Sequence, residues 1–268
     1  MMASRARMVT LHCVVQIGIL LTLVWKWKYF LWSDEIHYAL TLSSPFFPDF
    51  LESAAVVRYA FLGCIVAIVI NIVSWNQFLC KVCNYTTLAL LSILLIHEAS
   101  YNDATFTTAW WACLWSIWYV HRMNDPDRNF TLWRGAFLSR VIISMILLGG
   151  AVGKWTPEYW NGDVFFDIYF VDRDYWVFNL LRENFEPETL RTIATWYSRK
   201  VILIESLCGM GLWLLPAKWA AAIGFVLLTS IALFSNFYLF SVMFALMGLA
   251  LAGFFVVNET KPVLDLEA

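Results

Sequence analysis

Gly149-Gly150-Ala151-Val152-Gly153-Lys154-Trp155-Thr156-Pro157-Glu158-Tyr159-Trp160-Asn161-Gly162 closes a long apolar run that begins near Phe137. Three glycines end the run, and a lysine follows where hydrocarbon would give way to an interface. An ionisable group at membrane depth is costly and marks a candidate functional site. A second reading is open: Lys154 can snorkel to headgroups beside Trp155 and Trp160, as amphipathic anchors do.

Composition extends this local reading to the whole chain. Of 268 residues, 61% are hydrophobic and only 14% charged, whereas soluble domains average about 45–50% apolar and about 25% charged. The chain belongs in a bilayer, and its length leaves room for several spans of about 20 residues but not for a sizeable soluble domain besides. A net charge of −2 without a basic face argues against nucleic-acid binding. The six cysteines lie mostly in apolar runs, where thiols behave as small hydrophobes. Cys80 and Cys83 have the spacing of a redox or metal pair, but no second pair completes a zinc site, so no metal centre is expected.

Hydropathy predicts an all-α polytopic helix bundle of about eight transmembrane helices over residues 1–257, with a polar tail at 258–268. The expected spans are Met8–Trp32, Val56–Trp75, Tyr85–Ile96, Ala104–Val120, Gly135–Gly153, Val201–Leu215, Ala220–Phe234 and Phe237–Val257. Asn76–Asn84 and His121–Arg134 read as connections. Arg140 is expected to reach headgroups from near a helix end, since a buried arginine needs a carboxylate or backbone partner. Between spans five and six, Thr156–Lys200 mixes acids with aromatic clusters too short to cross. Amphipathic surface helices are expected there, with Pro187 starting a helix that continues into span six.

Arg5, Arg7, Lys81, Arg122, Arg128, Arg134, Lys218 and Lys261 all fall on one side of this topology, while the short loops on the other side, Ala99–Asp103 and Ser235-Asn236, have no Lys or Arg. The positive-inside rule then places both termini in the cytoplasm. Lys154, His97, Glu98, Asp103, Glu205 and Asn236 gather toward the outer leaflet. Glu205 lies well inside a predicted span and needs a partner, for which Lys154 is the candidate. The sequons at Asn84, Asn129 and Asn258 fall on the cytoplasmic side and read as chance.

The order from Asn102-Asp103, through the tryptophan-rich fourth span and the arginine-bearing loop, to glycine-rich span five, Gly153-Lys154 and Trp160-Asn161-Gly162 resembles the HTTM domain. That domain is the membrane part of vitamin K-dependent gamma-carboxylases and their bacterial relatives; the chain is more distantly similar to DoxX-type membrane proteins. The resemblance implies a pocket, with Lys154 at the catalytic position as a base; together with the convergence of ionisable residues at the outer leaflet it leads to the expectation of a bacterial inner-membrane protein that holds a quinone or lipid-like ligand among His97, Glu98, Asp103, Trp160, Gly162, Glu205 and Asn236. The carboxylases carry a large lumenal domain after the bundle, whereas this sequence stops at Ala268, so fold and pocket are implied more strongly than a reaction. A non-catalytic membrane subunit or assembly factor for a membrane or extracytoplasmic partner is the alternative, motivated by the apolar segment Gly162–Arg182.

Overall fold

A computed structural model describes residues 4–27, 49–74, 76–97, 105–172, 174–234 and 242–257. Among the described residues the chain is all-helical. Its helices are α1 (Arg5–Val24), α2 (Ala54–Val73), α3 (Gln77–Ile96), α4 (Thr105–Arg122), α5 (Arg128–Val152), α6 (Pro157–Trp160), α7 (Asp163–Phe166), α8 (Trp176–Asn184), α9 (Pro187–Gly211), α10 (Ala217–Phe234) and α11 (Met243–Ala250). Short 3-10 turns lie at Asp49–Glu52 and Leu251–Phe255, and a π-helical turn at Asp167–Asp172.

Among the described residues four helices, α1, α2, α3 and α5, are long and apolar enough to cross a membrane. At 1.5 Å per residue, a 20-residue helix spans about 30 Å, the thickness of a hydrocarbon core. The other four expected spans correspond to α4, the second half of α9, and the shorter apolar stretches Ala217–Leu233 and Met243–Phe255. On α2 and α3 the apolar surface is turned outward, with Tyr59, Val66, Val73, Phe78 and Val82 exposed. An aqueous surface would not tolerate such a stretch of apolar side chains readily.

The structure corrects the expected connection at 76–84. Asn76 is extended and its side chain accepts hydrogen bonds from the Phe78 and Leu79 amides, capping a helix that starts at Gln77. Cys80 and Cys83 are consequently buried helical residues and not loop residues. The polar stretch after α4 is likewise short, because Asp127 accepts from the Phe130 amide and starts α5 at Arg128. At the N-terminus, Ser4 caps α1 by accepting from the Arg7 amide.

The chain separates into two compact units, residues 1–139 with 216–268, and residues 140–215. In the first, the Tyr119 hydroxyl donates to the Met8 carbonyl, joining the end of α4 to the start of α1. Trp115 stacks on Tyr119 at 4.7 Å and donates to the Gly135 carbonyl, so the tryptophan repeat of α4 includes a buried packing residue. Helices α1 and α11 approach closely through small residues: a Cβ on Gly18 would meet the Phe244 carbonyl at 2.6 Å. The Thr22 hydroxyl accepts from the Ala245 amide, satisfying an otherwise orphaned donor in the first turn of α11.

The second unit has its own small core of Phe165, Phe170, Phe178, Leu190 and Ala194. Phe178 meets Phe165 and Phe170 edge-on, at 5.8 and 5.4 Å between ring centroids, the geometry favoured by aromatic quadrupoles. The stretch expected to form amphipathic surface helices holds α6, α7 and α8, and Pro187 occupies the first turn of α9. Arg140 is buried here, and its guanidinium donates to the Leu215 carbonyl. It therefore takes the backbone partner that a buried arginine requires, in place of the expected headgroup contact.

Candidate functional site

One face of α9 organises the segment after the glycine-rich end of α5. Along that face, Arg191, Thr195 and Arg199 recur every four residues, about one helical turn apart, Ser206 continues the line seven residues on, and Glu205 and Gly209, also four apart, run beside it. Their partners run backwards along the chain. Arg191 stands 3.9 Å from Asp163, Thr195 donates to the Asn161 carbonyl at 2.7 Å, and Arg199 Nε donates to the Trp160 carbonyl at 3.0 Å. Ser206 accepts from Trp155 Nε1 at 3.1 Å, and Gly209 packs against Leu148.

Within this antiparallel pairing, Lys154 Nζ donates to Glu205 Oε2 at 2.6 Å. The expected pairing of the two residues is therefore present. Their side chains are 27% and 11% exposed, so the pair is sheltered without being sealed. Two further N–H directions of Nζ have no partner among the described residues. Gly150 lies over the pair: a Cβ there would stand 3.5 Å from both Glu205 Oε2 and Lys154 Nζ, and one on Gly149 would meet nothing within 4 Å. The glycines thus keep an open strip beside an ion pair.

Trp160 and Gly162 belong to the same unit. Trp160 stacks on Trp155 at 5.4 Å, and the Arg199 guanidinium lies 5.3 Å from its ring centroid. These contacts fix two aromatic faces beside the lysine. Gly162 adopts φ +84° at the start of α7, and a Cβ there would come within 2.5 Å of the Thr195 backbone. Only glycine satisfies both constraints. Its close approach to α9 holds α6 and α7 against that helix.

Glu158 sits in the first turn of α6, where its carboxyl is held below the usual glutamate range by its own backbone N–H and by the Thr156 hydroxyl. It is exposed.

Of the remaining site candidates, only His97 lies among the described residues. His97 ends α3 in the other unit, buried, with Nε2 at 2.7 Å from the Leu51 carbonyl. That bond ties the end of α3 to the turn before α2. Glu98, Asp103 and Asn236 lie outside the described residues. Among the described residues no group of three or more His, Cys, Asp or Glu side chains could hold a metal ion.

Sequence reading missed Arg199, Ser206 and Thr195, which hold the Trp155–Gly162 segment in place. Their only signal was helical spacing from Glu205, and a polar residue on a half-polar helix carries little information until its partner is known. No family model, curated protein or solved structure matches the chain.

Proposed function

We propose that the chain is a multi-pass integral membrane protein of the HTTM-like kind, with a pocket for a quinone or other lipid-like ligand at the Lys154–Glu205 pair. The finer topology of this reading has about eight spans and both termini in the cytoplasm of a bacterial cell, with the pocket facing outward. The observation that carries it is the ion pair itself: a 2.6 Å contact beneath Gly150 at the end of an apolar helix. Glu205 orients the ammonium, and the unused N–H directions of Lys154 suit a carbonyl oxygen of the ligand. Trp155 and Trp160 supply flat apolar faces of the kind that small-molecule sites use. Catalysis by Lys154 as a base belongs to the same proposal and requires that the ammonium first pass a proton to Glu205 Oε2, which leaves a lone pair on Nζ.

Purification in mild detergent, followed by organic extraction and mass spectrometry, tests this reading. An enriched quinone or lipid is expected from the wild type and a depleted one from Lys154→Ala. Identical extracts from the two proteins would overturn it.

A second reading rests on a different observation. Trp176, Leu180, Phe185 and Trp196 are all exposed in the second unit. A membrane subunit or assembly factor would use such an aromatic surface to dock a partner. Loss of a stoichiometric co-purifying protein on Trp176→Ser with Leu180→Ser would favour it over ligand binding.

A further inference from the structure

Polar side chains are buried inside three of the helices long enough to cross a membrane. His12 and Gln16 lie one turn apart on α1, Asn71 in the last turn of α2, and Asn84 and Thr87 on α3; none is more than 2% exposed. Gln16 donates to Asn84 Oδ1 at 2.9 Å, and Asn84 in turn donates to the Cys80 carbonyl at 2.9 Å. Asn84 thus has a structural role that its sequon did not disclose. Nearer the end of the helices, His12 Nε2 lies 3.2 Å from Asn71 Oδ1.

That second contact leaves His12 Nδ1 and Asn71 Nδ2 buried without a partner among the described residues. A buried polar atom with no partner costs about 1–3 kcal/mol, so two side by side call for an explanation. Both residues line a cavity of about 20 Å³, whose wall runs outward past Ser74 and Gln77 to the exposed Arg5 and Asn124. A water needs roughly 10–15 Å³ of such space and two or more polar partners.

Hydrogen-bond logic identifies the occupant. With Asn71 Oδ1 facing the ring, a neutral His12 donates through Nε2–H; Nδ1 is then a lone-pair acceptor and Asn71 Nδ2 a donor. Flipping the amide and exchanging the tautomer reverses both roles but still leaves one donor and one acceptor. A small anion would face the acceptor, and a cation the donor. A water or another hydroxylic molecule satisfies both.

We propose that this cavity is a hydration site: a water bridges His12 and Asn71 and connects the buried imidazole to solvent past Arg5 and Asn124, so that His12 exchanges protons with the aqueous phase. The proposal uses no residue of the Lys154–Glu205 pair and does not depend on it. The signal for it in the sequence was the i, i+4 pair His12 and Gln16 inside an apolar run.

The test is imidazole-labelled NMR of the full chain in nanodiscs. There are only four histidines, so the His12 ring is assigned by its loss in His12→Phe. A water cross-peak to the wild-type His12 ring is expected, together with exchange of its N–H into D2O faster than that of the α1 backbone amides. Asn71→Leu removes one partner of the water and is expected to abolish the cross-peak. A wild-type ring with no water cross-peak and an N–H as slow as those amides would overturn the proposal, whether or not the variant folds. So would retention of the cross-peak in a folded Asn71→Leu protein.

Discussion

Lys154 and Glu205 are 51 residues apart in sequence and 2.6 Å apart in space, because the last apolar turn of α5 and the second half of α9 run antiparallel. Their exposure decides what the contact is worth. Exposed pairs contribute about 0–1 kcal/mol, and breaking a fully buried pair costs about 3–5 kcal/mol. At 27% and 11% side-chain exposure, a coupling of about 1–2 kcal/mol is expected from a Lys154→Met, Glu205→Gln double-mutant cycle. Thermal unfolding in detergent measures it. A coupling near zero would mean that the two charges act independently.

The glycines divide into those the packing requires and those it does not. Gly162→Ala combines a left-handed φ with a Cβ driven into the Thr195 backbone, and a loss of about 1–3 kcal/mol is expected. Gly209→Ala meets Leu148, including its backbone nitrogen at 3.1 Å, and should also destabilise. Gly149→Ala is the control: its Cβ meets nothing within 4 Å, and alanine in a helix interior gains about 0.5–1 kcal/mol over glycine. Melting temperatures of the three variants are expected to fall, fall and rise.

The buried amide layer of the first unit is expected to be modest in energy. Gln16→Leu leaves Asn84 Oδ1 without its donor, and polar contacts between membrane helices average about 0.6 kcal/mol, reaching about 1.7 kcal/mol. Denaturant titration should place the variant in that range. A loss well above it would mean that the unpaired Asn84 oxygen is not re-solvated.

Glu158 gives a pH prediction. Its folded carboxyl is held below the unfolded value, chiefly by its own backbone N–H and then by Thr156. The carboxylate therefore favours the folded state above the unfolded pKa, and that contribution disappears as pH falls through the lowered folded value. A carbon-detected NMR titration should show a Glu158 midpoint below that of a glutamate in a peptide, moving upward in Thr156→Ala. An unmoved midpoint would remove Thr156 from the explanation.

What the sequence determined on its own is the all-helical class, the apolar character of α1, α2, α3 and α5, and the chemistry of burial: a glutamate within an apolar run needs a partner. These follow from composition and local periodicity, which act residue by residue. Helix limits were less legible. Asn76 could equally start a helix or make a turn, and the choice rested on its side chain reaching the Phe78 and Leu79 amides. Tertiary structure alone decided which polar groups meet. Arg140 found the Leu215 carbonyl, His97 found Leu51, and His12 found Asn71 across 59 residues of chain. Such pairings depend on which helix faces pack together, and side-chain reach is set by that packing and not by spacing along the chain. Lys154 illustrates both halves: its cost at the end of an apolar helix was readable from the sequence, and its partner's distance was not.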